Sequence, residues 1–309
     1  MSYRERHEIP DLGIGVGLRR PHVAQVLREK QDLVDWLEIV SENYLADGGI
    51  QRSHLEAVRE KYRLIPHGVS LSIGGADPLD RRYLARLGSL VHGIGAPWFS
   101  DHLCWTGIGG VDVHDLLPMP YTAETLAHVA ERVKVVQGEL RAPFALENAS
   151  TYLEFRESTI PEHEFLAELA ERADCGILLD VNNVFVSAYN HGFDAKAYID
   201  AIPADRVVQI HLAGHEDKGT YLLDTHSDHV RAEVWDLYRR AVRRCGCLLY
   251  TSSRNGTRPI RVSPVVNSTR FVIPCLSTKR DRSGESCARA SPSRRVRARS
   301  SGRTVSRYR

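Results

Sequence analysis

Seven short apolar or alternating runs recur along the first 246 residues, each separated from the next by a longer stretch with helical spacing. They are GIGVGL (Gly13 to Leu18), WLEIVSE (Trp36 to Glu42), HGVSLSIG (His67 to Gly74), WFSDHLC (Trp98 to Cys104), FALENAS (Phe144 to Ser150), GILLDVNN (Gly176 to Asn183) and VVQIHLAG (Val207 to Gly214). Helical spacing falls on Pro21 to Lys30, Asp80 to Gly93, Thr122 to Gly138, Pro161 to Ala173, Asp194 to Ala201 and Val230 to Arg244. Strand-like runs alternating with helical stretches specify βα units and a parallel sheet. Seven such units predict a (β/α)₈ TIM-type barrel with one unit missing or replaced, since such barrels take roughly 250 residues. A doubly wound open sheet is the alternative.

The position of the polar residues favours the barrel. Glu42 and Asn43, Asp101 and His102, Glu147 and Asn148, Asp180 and Asn183, and His211 and His215 all stand at the C-terminal ends of apolar runs. In a barrel these ends converge on one mouth, where active sites are built, whereas an open sheet spreads them along an edge.

Glu147 and Asp180 bring carboxylates into runs that should be buried, which costs several kcal/mol unless each is paired or metal-bound. Strand alternation sets Ala145 with Glu147, Leu178 with Asp180, and Gln209 with His211, so a common inward direction is open to all three pairs. His67 and His102 sit comparably on neighbouring strands. Mixed imidazole and carboxylate donors suit iron, zinc or manganese. A second group follows in YLLDTHSDH, where Asp224 and His226 point the same way from an extended segment, with Asp228 and His229 next.

Other signals read as structure. Gly13, Gly15 and Gly17 imitate part of a dinucleotide fingerprint, but no third Gly opens the next helix, which leaves close packing of the first strand. Cys104 beside Trp105 reads as a small buried hydrophobe rather than a nucleophile, and Trp36, Trp98, Trp105 and Trp235 as core. The six Cys include no CxxC, so neither a disulfide framework nor a zinc ribbon is indicated. No apolar run is long enough to span a bilayer and the N-terminus carries no signal-peptide core, so the expected location is cytoplasmic, with no membrane partner.

The formal net charge of +2 conceals a division. Residues 247–309 hold 14 Arg and one Lys against Asp281 and Glu285, a net +13, which leaves −11 for residues 1–246. This Arg/Ser-rich tail shows strand character only at CLLY and at Phe271 to Pro274, and disorder is expected of it.

Eight motifs in order carry a resemblance: ENYL (Glu42 to Leu45), PHGVSLSIGG (Pro66 to Gly75), SDHLCW (Ser100 to Trp105), HDLLPMPYT (His114 to Thr122), ENASTY (Glu147 to Tyr152), LLDVNNVFVSAYNHGFD (Leu178 to Asp194), IHLAGH (Ile210 to His215) and DTHSD (Asp224 to Asp228). From about Gly13 to Gly246 the chain resembles the multinuclear non-haem iron-dependent oxidases, which include the methanobactin biosynthesis oxidase. The resemblance implies a (β/α)₈ barrel with two or three irons, mixed-valent Fe(II)/Fe(III). It also implies O₂ as co-substrate, a partner protein encoded nearby, and a ribosomally made precursor peptide whose Cys residues are modified by removal of hydrogen from the β-carbon. It further implies His67, His102, Glu147, Asp180 and His211 as iron ligands, with Glu147 bridging, and Asp224 and His226 as ligands of the remaining iron. Asn183, His191 and His215 would stand behind the ligands or on the substrate side.

The resemblance stops near Gly246. The family closes its barrel with an eighth strand bearing an acidic ligand in a segment similar to IEWD, where this chain continues CLLYTSSRNGTRP. The break has the character of a frameshift or a joined foreign sequence, so the closing strand and one ligand are expected to be lost and activity impaired, with CLLYTS (Cys247 to Ser252) filling at most part of the gap. Two other functions compete. A zinc or manganese hydrolase or isomerase on the same type of barrel would want a basic mouth for phosphate, against which the −11 of the body counts mildly. Nucleic-acid binding through the +13 tail is the third reading, disfavoured by its few aromatics and lack of an RNA-binding motif.

Overall fold

In the computed structural model the apolar runs line up as a closed barrel whose strand order is β1-β2-β3-β4-β7-β8-β9-β12, returning to β1. Residues 1–28, 34–226 and 229–245 are described, together with the backbone of Phe271–Pro274. Seven strands run parallel: β1 (Gly15–Gly17), β2 (Trp36–Val40), β3 (Arg63–His67), β4 (Phe99–His102), β7 (Phe144–Glu147), β8 (Gly176–Asp180) and β9 (Val207–Leu212). A hairpin of β5 (Trp105–Ile108) and β6 (Val111–Leu117) follows β4, and a short pair, β10 (Glu216–Asp217) and β11 (Leu222–Leu223), follows β9.

The eighth position is replaced rather than left open. Strand β12 (Phe271–Pro274) runs antiparallel to both neighbours, with Val272 opposite Gly15 on one side and His211 on the other. The segment that enters the gap is therefore not CLLYTS, which lies outside the described residues. A barrel needs every edge paired, and direction is secondary to satisfying the N–H and C=O groups of β1 and β9. The first of two compact units accordingly runs over Met1–Thr278. The rest of residues 247–309, for which disorder is expected, lies outside the described residues.

Two boundaries differ from the expected ones. HGVSLSIG is not a strand: β3 ends at His67 and the next residues form a loop whose amides bond to carboxylates rather than to a ladder. GILLDVNN ends as a strand at Asp180, whose side chain accepts from Asn183 N and so starts helix α7 (Val181–His191). Helices α1 (Tyr3–Arg6), α2 (Val23–Arg28), α3 (Gly49–Arg59), α4 (Arg81–Ile94), α5 (Ala123–Leu140), α6 (Glu162–Arg172), α8 (Ala195–Ala201) and α9 (Ala232–Arg244) complete the described helical elements. Asp80, Thr122 and Asp194 cap α4, α5 and α8 through their side chains.

Inside the barrel, Trp36, Ile65, Trp98, Ala145, Leu178 and Val208 form an apolar cluster with Tyr3 and Ile9. Tyr3 donates to Phe144 O, at the start of β7, so the N-terminal helix plugs the bottom. Trp36 also explains Gly15, because a Cβ there would stand 2.3 Å from its indole ring. Two residues further along β2, β3, β7 and β8 the period-2 alternation returns to the interior with Glu38, His67, Glu147 and Asp180. The fold thus plugs one end with aromatics and leaves the ionisable groups at the other. Among the described residues no helix is long and apolar enough to cross a membrane.

Candidate metal centre

Glu147 occupies the centre of the mouth and is fully buried, as are Asp180 and His211, with His67 and His102 only 2% and 4% exposed. Its two oxygens face different groups. Oε2 lies 3.2 Å from both His67 Nε2 and His102 Nε2. Oε1 lies 3.1 Å from His211 Nδ1, which is 3.8 Å from Asp180 Oδ2. These are two sets of donors that could each hold a metal ion, His67–His102–Glu147 and Glu147–Asp180–His211, and they share one carboxylate.

The imidazoles are fixed from behind. His102 Nδ1 is 3.1 Å from Gly68 O, a carbonyl that can only accept, so the ring carries its proton there and turns the Nε2 lone pair toward Glu147. His67 Nδ1 is held by Ser100 Oγ at 2.9 Å. On the other ring, His211 Nε2 donates to Glu38 Oε2 at 2.8 Å and leaves Nδ1 for the centre. Trp98 Nε1 donates to Gln209 Oε1, which orients that amide so that its Nε2 donates to the same Glu38 oxygen at 2.6 Å. A carboxylate behind a histidine is the support metal-binding imidazoles ordinarily have. Imidazole nitrogens near 3 Å from carboxylate oxygens need a proton or a metal ion between them, and the mixed nitrogen and oxygen donors fit a metal ion.

A second layer sets the backbone. Asn148 clamps Asp180 by donating to its O and accepting from its N, and Asn183 donates to Asn148 O. Glu42 Oε1 accepts from Val69 N, Ser70 N and Tyr83 Oη, while Asp101 accepts from Leu71 N and His102 N. These two carboxylates hold the turn that carries Gly68 O. Burial, then the neighbouring Glu42, pushes the Asp101 carboxyl well above the usual range, and burial with both acids raises the Tyr83 phenol.

The structure brings five of the expected ligands, His67, His102, Glu147, Asp180 and His211, into these groups, and leaves Asp224 and His226 as a separate pair, with His226 Nε2 3.2 Å from Asp224 Oδ1. That pair nevertheless lines the same ≈ 230 Å³ cavity as Glu38, His67, His102 and Asn183. His215 is buried and bonds through Nδ1 to Asn182, which in turn donates to Asp224. His191 lies elsewhere, against Thr151 in another cavity. Asp228 is outside the described residues and His229 is exposed. Cys104 is buried, and burial holds its thiol well above the ordinary value, as a packing residue requires. Glu38 is the functional residue that sequence reasoning missed. It obeys the same signal as Glu147 and Asp180: a carboxylate inside an apolar strand, two residues after an inward Trp36.

A barrel whose mouth gathers buried histidines around a shared carboxylate defines a candidate metalloenzyme. Over residues 13–254 the chain matches the family model described as RiPP precursor modification enzyme MbnB/TglH/ChrH, and it belongs to that family of enzymes acting on ribosomally made precursor peptides. It is 57% identical over 235 residues to a UPF0276 protein of Anaeromyxobacter sp. strain Fw109-5, covering 76% of this chain and 83% of the relative. A UPF0276 protein of Caulobacter vibrioides is 47% identical over 234 residues, covering 76% and 84%. Among solved structures the chain resembles an L-ribulose 3-epimerase, with a TM-score of 0.50, 14% identity and coverage of 76% and 78%. That likeness shows the fold alone.

Proposed function

We propose that the chain is a multinuclear non-haem iron-dependent oxidase that uses O₂ to modify Cys residues of a ribosomally made precursor peptide, working with a partner protein encoded nearby. Residues 1–246 carry the site in this reading, with His67, His102, Glu147, Asp180 and His211 as ligands and Asp224 and His226 holding a further iron. Asn183 and His215 orient ligands, and His191 stands on the substrate side.

The observation that carries the reading is the division of Glu147, whose Oε2 serves the two histidines of one group while Oε1 serves His211 of the other. Iron bound there would supply electron exchange with O₂ and an acidic site for a substrate thiolate, a strong ligand for such metals. The chain's own residues do the positioning. Gly68 O keeps the His102 proton at Nδ1 and Glu38 keeps the His211 proton at Nε2, so both rings present lone pairs to the centre. Leu18, Val40, Val69 and Leu116 line the cavity above and exclude water from a thiol that enters it. The missing acidic ligand of the family's closing strand leaves the site one donor short, which lowers activity relative to a chain that has it.

The test is incubation of the iron-loaded protein, under O₂, with the Cys-containing peptide encoded beside it, followed by mass spectrometry. A mass change confined to Cys residues supports the reading. An unchanged peptide, together with a zinc or manganese form that cleaves a phosphodiester or shifts a sugar carbonyl, replaces it with the hydrolase or isomerase.

A further inference from the structure

A second cavity of ≈ 410 Å³ lies beside the mouth, walled by the aromatic rings of Tyr121, Phe155, Phe193 and Tyr198 and by the carboxyl of Glu162. Its frame is ordered. Tyr121 O accepts from Thr159 N and Ile160 N, Tyr121 N donates to Ser158 Oγ, and the Tyr198 ring stacks on Phe193 at 5.8 Å. Glu162, the first residue of α6, accepts from Tyr198 Oη at 3.2 Å, and among the described residues no Lys, Arg or His forms an ion pair with it. Burial pushes its carboxyl up to about 7, with the Tyr198 bond acting in the opposite direction. An acid in an aromatic-lined cavity, with no ion-pair partner among the described residues, is the environment that an ammonium or guanidinium completes: the carboxylate supplies charge and the aromatic lining covers the apolar stem of the side chain. An anion would meet Glu162 and Glu154, and a purely apolar group would bury the carboxyl further.

The cavity also lies within reach of the metal-capable groups. Thr151 lines it and is four residues beyond Glu147, so the two backbones are at most about 14 Å apart. Helix α7 spans the same interval, from the Asp180 cap to His191 at the cavity wall. We propose that this cavity receives a lysine or arginine side chain of the precursor peptide, within roughly four residues of the Cys presented at Glu147. The proposal rests on the peptide-modifying reading above and adds a specificity pocket to it.

The experiment uses the full chain and two probe sets. The first is a series of short Cys peptides, Cys-Gly-Gly-Xaa-Gly, with Xaa Lys, Arg, norleucine or Glu, measured by calorimetry at pH 6 and pH 8; the second is n-butylammonium and methylguanidinium alone. Lys and Arg peptides should bind about tenfold more tightly than the norleucine peptide, with Glu weakest. That preference should vanish in Glu162→Gln. With a carboxyl near 7, about a tenth is ionised at pH 6 and about nine-tenths at pH 8, so the Lys preference should grow by about tenfold between them. The other titratable groups facing Glu162 are Tyr121, Tyr198, His163, His191 and Glu154. Protonation of either imidazole also disfavours a cation, so the pH slope lost in Glu162→Gln is the part that belongs to Glu162. Equal binding of Lys and norleucine peptides in the wild-type chain, with no Glu162-dependent binding of n-butylammonium, overturns the pocket while leaving the peptide reading intact. Glu162-dependent binding of n-butylammonium without binding of any Cys peptide supports the cation site and defeats the peptide reading instead.

Discussion

Replacing Glu38 by Gln separates the two halves of the centre. Glu38 Oε2 accepts from His211 Nε2 at 2.8 Å and from Gln209 Nε2 at 2.6 Å, and both bonds are charge-assisted. A Gln amide oxygen in the place of Oε2 can still accept from both donors, but it carries no charge. Each bond falls from roughly 1.5–3 kcal/mol to roughly 0.5–1.5 kcal/mol, and the His211 imidazole becomes less basic. Loss of such support behind a metal-binding histidine costs about 10- to 100-fold in affinity, or about 1.4–2.8 kcal/mol. His67 and His102, anchored by Ser100 and Gly68, are untouched. Co²⁺ titration of the metal-free protein, followed by visible absorption, should therefore show one site of wild-type affinity and one weakened by that factor. Equal weakening of both sites in a variant that retains the wild-type thermal transition, or no weakening of either, would refute the argument that Glu38 acts through His211.

Other variants test the remaining assignments. Glu147→Ala should remove metal from both inner groups, whereas His226→Ala should lose only metal held by the Asp224–His226 pair; equal loss by elemental analysis would contradict the shared role of Glu147. Gly15→Ala places a Cβ 2.3 Å from the Trp36 ring and should destabilise by about 1–3 kcal/mol through overpacking, read as a fall in Tm; an unchanged Tm would show that Gly15 does not serve close packing against Trp36. Cys104→Ala should keep full metal content, and the native Cys104 thiol should resist thiol reagents until unfolding, because it is buried and its thiol is held protonated; rapid labelling of the folded protein at Cys104 would contradict that.

The parts of the barrel legible in the sequence are those where burial alone dictates residue choice. GILLD and VVQIHL are buried on both faces because helices cover one side and the barrel interior the other, so the carboxylate and histidine in them stand out. β3 is hidden for the opposite reason. It begins at exposed Arg63 and contains Pro66, which lacks an N–H and argues against a strand, while the more strand-like GVSLSIG after it is a loop tied to Glu42 and Asp101. α7 is rich in Val and Asn, poor helix formers, and forms because Asp180 caps it and its face is buried. Glu38 passed unremarked because one charge in WLEIV also suits a solvent-facing strand; only its distance to His211 reveals its role. The pairing of Phe271–Pro274 with β1 and β9 depends on contacts across more than 50 residues, and nothing in four apolar residues states a direction.

In the proposed function one carboxylate, Glu147, joins two metal sites that hold iron for O₂ chemistry on a peptide thiol. That arrangement is tested most directly by loading the metal-free chain with Fe²⁺ without air, counting iron per chain, and recording Mössbauer spectra before and after O₂ is admitted with a Cys peptide. The expected result is at least two irons per chain, magnetically coupled once partly oxidised, and O₂ uptake that depends on the peptide. A single uncoupled iron, or retention of stoichiometric zinc with no peptide-dependent O₂ uptake, would contradict it.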